Sequence, residues 1–313
     1  IQDMAGRSCP ICGDRGQVGK IGEINCYDMV MCYNCGFVFA DVSRGEVVES
    51  NFVVSDYIDE LFTRNQTYMD ALWFGRIAFR FRYLGHRCRV LDVGCGNGML
   101  LRHFKAMGWH CFGLDVSPWA RKYAKLYNYA LYDREIEEDY LPENYFDLVV
   151  STSTLEHVYD PYEHLKSIMR VLKPGGIVYI AGVPNFGSVS VKLGVSKFYF
   201  NTPPSHVNYF TPKSFYVLLG KIKKYYPISF RIRTYGIPES FYIYHKFKLL
   251  LEKKGKVEKM SAGVVERGMT SPQVVDYSKP VDAGRVWIAF GKLVIMLNYV
   301  LGRPFNLGDK IEV

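Results

Sequence analysis

Between residues 89 and 181, short apolar runs alternate with segments of helical period, and the first run empties into three closely spaced glycines. Arg89–Asp92 leads into Val93-Gly94-Cys95-Gly96-Asn97-Gly98, after which Met99–Met107 reads as a helix. Glycines at a strand-to-helix turn let backbone approach a ligand with no side chain between them. Further runs follow at Cys111–Leu114, Tyr129–Tyr132, Phe146–Val150 and Ile177–Ala181. Ser117-Pro118 and Asp160-Pro161 each place a capping residue before a proline at the first helical position, which opens helices to Tyr127 and Leu172. Lys173-Pro174-Gly175-Gly176 stops the second of them. Strands alternating with helices predict an α/β, Rossmann-like fold, a mostly parallel sheet with helices on both faces.

The glycine spacing is Gly-x-Gly-x-Gly. Dinucleotide-binding folds use a similar pattern with one more residue before the last glycine, so the glycines alone leave the ligand open. Two acids narrow it. Asp92 precedes the glycines, where a cationic amino-acid moiety would be welcome, and Asp115 ends the next strand, placed to accept hydrogen bonds from two ribose hydroxyls.

With these residues in place, the stretch 85–236 resembles the class I S-adenosylmethionine-dependent methyltransferases. The matching pieces are VLDVGCGNG, the GLD that ends at Asp115, FDLVVSTSTLEHV and RVLKPGG. The resemblance implies a seven-stranded sheet whose last strand, Gly308–Val313, returns antiparallel beside Ile228–Thr234. It also implies S-adenosyl-L-methionine as cofactor. Asp92, Gly94, Gly96 and Gly98 would then line the methionine end, Asp115 would hold the ribose, and Asp133 would approach the adenine. Ser151 and Thr152 would flank the methionine portion.

Upstream, Cys9-Pro-Ile-Cys12 and Cys32-Tyr-Asn-Cys35 are two Cys-x-x-Cys pairs with 19 residues between them. Each pair can form a knuckle that gives two thiolates to one tetrahedral Zn2+, a closed structural site with no position for water. Cys26, Cys88 and Cys111 read as buried apolar residues. Thiols kept for a metal point to a reducing, cytoplasmic compartment.

Methyl transfer to a hydroxyl or an acidic carbon needs a base near neutral pKa, which suits histidine. His206, in the loop after the fifth strand, is the expected base, with Tyr209 or Asn208 orienting the acceptor. His157, in Leu-Glu-His, is the other candidate. Some quinone-pathway O-methyltransferases hold a divalent ion through two glutamates and the histidine of that stretch. Here Glu156 and His157 are present but Ser153 stands at the first position, which speaks against a catalytic magnesium. The ribbon, Ser55-Asp-Tyr-Ile-Asp-Glu-Leu-Phe62 and the His-x-Asn-Tyr-Phe-Thr-Pro segment are similar to zinc-containing sugar C-methyltransferases of cell-envelope and polysaccharide pathways. That likeness implies a small-molecule or glycan acceptor, nucleotide- or lipid-linked, methylated on carbon or oxygen.

Charge raises a competing reading. The formal net charge is +8, and Lys213–Lys259 carries twelve Lys/Arg against three Glu, so one segment accounts for the whole surplus. With its tyrosines and phenylalanines it could track phosphates, as an RNA-modifying methyltransferase would require. A third reading makes the ribbon and basic segment a non-catalytic interaction module. The expected organisation is a zinc ribbon over 1–44, a helical connector over 45–85, the cofactor-binding core over 86–236, a basic and amphipathic insertion over 237–300 and a final core strand over 301–313. Val286–Leu301 is too short to cross a bilayer, which takes ~20 apolar residues, and its apolar face leaves peripheral membrane contact open. The first residues show no charged-then-apolar leader pattern.

Overall fold

The computed structural model describes residues 8–51, 68–188, 191, 202–235 and 310–313. Near its start, two tight turns are closed by the Gly13 N–H donating to the Cys9 carbonyl (2.8 Å) and the Gly36 N–H to the Cys32 carbonyl (2.7 Å). Between them β1 (Val18–Ile24) and β2 (Tyr27–Cys32) form an antiparallel hairpin, and β3 (Val38–Ala40) adds to β2. The hairpin turns through Asn25 and Cys26, both left-handed at φ 52° and 66°, a geometry that matches the twist of the strands. Cys26 is therefore exposed at the tip, which corrects the buried place expected for it. Cys88 and Cys111 are half-buried.

Helix α1 (Tyr68–Arg80) leads to the parallel sheet. Its strands are β4 (Arg89–Val93), β5 (His110–Leu114), β6 (Ala130–Tyr132), β7 (Phe146–Thr152) and β8 (Leu172–Ala181), in spatial order β6-β5-β4-β7-β8. Every pairing in it is parallel. The crossovers are α2 (Met99–Ala106), α3 (Pro118–Tyr127) and α4 (Pro161–Val171). Asp160 caps α4 by accepting from the Tyr162 and Glu163 N–H groups, as the Asp-Pro signal predicts.

Period-two alternation along the central strands divides the core between the two faces. Leu91, Val93 and Val149 pack with Leu165, Ile168 and Val171 of α4. Val90, Leu148 and Val150 pack with Ile77 of α1 and with Leu100, Leu101 and Phe104 of α2. Each such side chain, fully buried, contributes roughly 1.5–3 kcal/mol. Both faces are thus covered, which leaves the carboxyl ends of the strands as the open edge. Strand order reverses at β4, so the crevice between β4 and β7 is where a doubly wound sheet binds its ligand.

Beyond β8 come β9 (Val183–Pro184), β10 (Asn208–Tyr209), α5 (Pro212–Lys223), β11 (Arg233–Tyr235) and β12 (Lys310–Glu312). The parallel part of the expected sheet is present as five strands. The rest forms a separate three-stranded sheet, order β11-β12-β9, with both pairings antiparallel. Val313 links that sheet to β8 by exchanging both backbone bonds with Ile180 (3.0 and 2.8 Å). The strand expected over Ile228–Thr234 begins only at Arg233. Ile228, Phe230 and Ile232 pack on the core without joining a ladder. The 237–300 segment, Val286–Leu301 and the second half of the basic stretch lie outside the described residues. No helix among the described residues is long and apolar enough to cross a membrane.

Candidate active site

The glycine loop at the end of β4 is shaped by its neighbours. Gly94 and Gly98 have φ of 74° and 68°, a region L side chains rarely enter. A Cβ on Gly94 would lie 2.3 Å from Thr154 Oγ1, and one on Gly98 would lie 2.4 Å from the Tyr129 ring. Over Gly96 stands the Trp119 indole, 3.3 Å from where a Cβ would sit. Asp115, at the end of β5, grips the loop: its Oδ2 accepts from the Gly96 N–H at 2.8 Å. Its Oδ1 accepts from the Ser117 N–H (2.9 Å) and from the Ser117 hydroxyl. A carboxylate offers about four lone-pair sites, so capacity for further donors remains. Trp119 and Tyr129 carry no motif of their own, and Thr154 lies within FDLVVSTSTLEHV with no role implied for it there, so only the fold brings the three to the glycines.

Asp92 is buried, and its Oδ1 has no hydrogen-bond partner. Burial, with the Asp115 charge adding to it, holds its carboxyl well above the usual range. Ser151 Oγ and Asn97 Nδ2 are likewise buried without partners. Orphaned polar atoms beside a backbone cradle mark a site built for a polar ligand. The Asp92 oxygen in particular suits a cationic group. Thr152, next to Ser151, is half-buried at the end of β7. Asp133 is exposed just past β6, and its Oδ2 accepts from Arg121 Nε at 3.1 Å, so an adenine would share it with that arginine.

Asp92 also has a consequence for stability. A carboxyl with a raised native pKa keeps a proton that the unfolded chain releases, so its contribution turns against folding as pH rises above the ordinary aspartate value. Asp92→Asn is therefore expected to melt a few degrees above the parent at pH 7, with the difference vanishing below about pH 4. A lower melting temperature at neutral pH would show that the burial cost is already offset by a partner.

On the other side of the crevice the chain turns after β7. Thr154 Oγ1 donates to the Val93 carbonyl (3.0 Å), and the Thr154 carbonyl accepts from the His157 N–H (2.9 Å). One short turn therefore runs from the glycine loop to His157. His157 Nδ1 lies 2.8 Å from the Ser205 carbonyl. A carbonyl can only accept, so Nδ1 carries a proton, and in the neutral ring the lone pair lies on Nε2. His206 stands against His157 with ring centroids 4.6 Å apart and planes at 75°. The two candidate histidines, far apart in sequence, are thus neighbours. Donor atoms of Glu156, His157 and His206 all lie within 4.8 Å of one another.

Asn208 Nδ2 and the Tyr209 hydroxyl bond to backbone carbonyls, while Asn208 Oδ1 is buried with no partner among the described residues. Asn208 Nδ2 donates to the Leu155 (3.0 Å) and Val158 (2.6 Å) carbonyls. The Tyr209 hydroxyl donates to the His206 carbonyl (2.9 Å), and burial pushes its phenol above the ordinary value. A cavity lined by Pro184, Asn185, Phe186, Val191, His206, Asn208 and Tyr209 opens beside them.

The four ribbon cysteines also converge. Sγ atoms of Cys9 and Cys35, and of Cys12 and Cys32, are each 3.6 Å apart, and all four fall within 4.8 Å. A tetrahedron with ~2.3 Å metal–sulfur bonds has edges of ~3.8 Å, so the set fits Zn2+. The shared hydrogen bond lowers the Cys9 thiol and raises that of Cys35, and burial raises that of Cys12, so a bound ion would have to supply the charge that holds the set as thiolates. Cys32→Ser is expected to drop bound zinc below one equivalent and abolish protection of the 8–42 amides in hydrogen exchange. Full zinc content and unchanged protection would remove the cluster as the ribbon's anchor.

With this geometry described, comparison with known proteins is informative. A family model described as "Methyltransferase domain" matches residues 63–222, just over half the chain. Among curated proteins, a ubiquinone biosynthesis O-methyltransferase of Maricaulis maris is 30% identical over 105 residues, 30% of this chain and 40% of that one. Its counterpart in Thiobacillus denitrificans is 37% identical over 100 residues, 30% of this chain and 43% of that one. The chain thus spans about two fifths of the length of these relatives. Among solved structures, a SAM-dependent methyltransferase from Archaeoglobus fulgidus superposes with a TM-score of 0.43 at 20% identity, covering 76% of this chain and 92% of that one.

Proposed function

The chain belongs to the methyltransferase-domain family, and from that premise we propose that it transfers a methyl group from S-adenosyl-L-methionine to a hydroxyl oxygen of a small-molecule acceptor. One observation carries the reading: a single turn, Thr154 to His157, links the glycine cradle to a pair of neighbouring imidazoles. The cofactor supplies an electrophilic methyl on a sulfonium. Everything else falls to the chain. Gly94, Gly96 and Gly98 admit the ligand, Asp115 holds the ribose, Asp92 faces the cationic amino-acid end, and Ser151 and Thr152 border it. Asp133, beside Arg121, borders the adenine. His206 takes the acceptor proton as the new O–C bond forms and the S–C bond breaks. His157 stands behind it, while Asn208 and Tyr209 hold the loop in place. The rate gain is largely positional, from holding the acceptor oxygen in line behind the methyl group.

The relatives' names favour oxygen on a small metabolite, and sugar hydroxyls form a second acceptor class that the ribbon likeness suggests. A radiolabelled methyl-transfer assay across phenols and catechols, nucleotide sugars, lipid-linked sugars and RNA tests this. Transfer to a small-molecule hydroxyl is expected, and transfer to RNA alone would overturn it.

A second reading rests on the same cluster, since one carboxylate and two imidazoles suit a divalent ion. Chelation followed by return of Mg2+ or Mn2+, with zinc content checked, separates the two. Turnover that follows the returned ion would remove His206 as a free base.

A further inference from the structure

The ribbon sheet is completed by a piece of the methyltransferase core. Strand β3 pairs antiparallel with β10 in the register Phe39↔Asn208 and Val38↔Tyr209. The Ala40 N–H donates to the Val207 carbonyl at 2.9 Å, and Asn25 Nδ2, at the hairpin tip, reaches the Pro203 carbonyl at 3.3 Å. The loop that carries His206 is thus held by the ribbon at both ends. From the opposite side, the Val207 and Asn208 N–H groups donate to the Glu156 carbonyl (2.8 and 3.1 Å), next to His157. Residues 205–209 are therefore clamped between the ribbon and the turn that bears the second histidine.

Packing repeats the hydrogen-bond pattern. Phe37, two residues after Cys35, meets Phe210 with ring centroids 5.0 Å apart. Met29, Val38 and Ala40 of the ribbon share one buried cluster with Val207 and Tyr209. The bonds that shape the cofactor grip, from Asp115 to Gly96 and Ser117, involve no ribbon residue.

We propose that the four-cysteine ribbon is a positioning element for the His157–His206 pair, setting acceptor-side geometry through β3 and β10 while leaving cofactor binding to the sheet. This rests on the proposed function above, because it takes that pair as the acceptor side. Phe37 and Phe39 are its positioning residues. Loss of the metal loosens β3, β10 loses one of its two walls, and the imidazoles leave their mutual contact.

The test uses the full chain, zinc-loaded, then stripped with a chelator, then reloaded. Three quantities are read: the dissociation constant for S-adenosylmethionine, the NMR titration of the His157 and His206 imidazoles, and kcat. Stripping is expected to shift both imidazole titrations and lower kcat at least ~10-fold, with the dissociation constant changed less than ~3-fold and zinc restoring all. Phe37→Leu keeps all four cysteines and should shift the titrations in the same direction at full zinc content. Cofactor affinity falling in step with turnover would overturn the proposal, since the ribbon would then merely hold up the whole fold. Unmoved imidazole titrations in both samples would also overturn it. The titrations need no acceptor, so a protein that transfers no methyl group fails the functional reading without obscuring this one.

Discussion

His206→Ala is expected to lower kcat by about 10²–10⁴-fold, the usual contribution of a positioned general base. Affinity for S-adenosylmethionine should stay within about twofold, because the residues proposed to hold the cofactor lie at the ends of β4, β5, β6 and β7, across the Thr154–His157 turn from the loop that carries His206. In the proposed transfer the proton leaves the acceptor as the new bond forms, so the defect belongs in kcat and in the acid limb of the pH–rate profile. His157→Gln complements it. A glutamine can still donate toward the Ser205 carbonyl but offers no titrating lone pair, so a smaller loss there with the acid limb retained assigns the base to His206. A larger loss in His157→Gln than in His206→Ala would exchange the two roles. Equal loss of affinity and turnover in His206→Ala would remove it from the acceptor side altogether.

Asp115→Ala should weaken cofactor binding about 100-fold, or roughly 2.7 kcal/mol. Two effects add. The ribose loses a charged acceptor, and charge-assisted hydrogen bonds are worth roughly 1.5–3 kcal/mol. The loop also loses the bond that presents the Gly96 N–H, and α3 loses the carboxylate that accepts from Ser117 at its first turn. Asp115→Asn separates these, since an amide oxygen can still accept from one N–H but not with full charge. It should fall between the parent and the alanine variant. Calorimetry checks both, and unchanged affinity in Asp115→Ala would dissociate that carboxylate from the cofactor.

The parts of this fold that were legible in the sequence are those written at short range. The Asp92–Gly98 turn, the Asp160 cap and the alternation of the central strands depend on neighbours within a few residues and stand where expected. Ser117 takes the N-cap position but gives its hydroxyl to Asp115 instead of capping α3, and β8 starts at Leu172, ahead of the expected Ile177. Cys26 is exposed against expectation because its place is set by a two-residue turn whose geometry follows from strand pairing and not from side-chain polarity. The β3–β10 pairing was illegible for a different reason. It joins Phe39 to Asn208 through a two-residue strand too short to leave any periodicity. Asn208 reads from the sequence as an acceptor-orienting residue in a loop, and the structure adds a second role, since its Nδ2 staples that loop to the Leu155 and Val158 carbonyls while its Oδ1 has no partner among the described residues. Trp119 carries no motif signal and Thr154 sits unmarked within FDLVVSTSTLEHV, and their closeness to Gly94 and Gly96 arises only once β7 and α3 are folded beside β4.

The measurement that bears most directly on the whole account is a calorimetric titration of the zinc-loaded chain with S-adenosylmethionine, and in parallel with a nicotinamide dinucleotide. One equivalent of the sulfonium nucleoside should bind, its affinity should fall about 100-fold in Asp115→Ala, and the dinucleotide should give no heat. Silence with the first ligand and saturable heat with the second would contradict it.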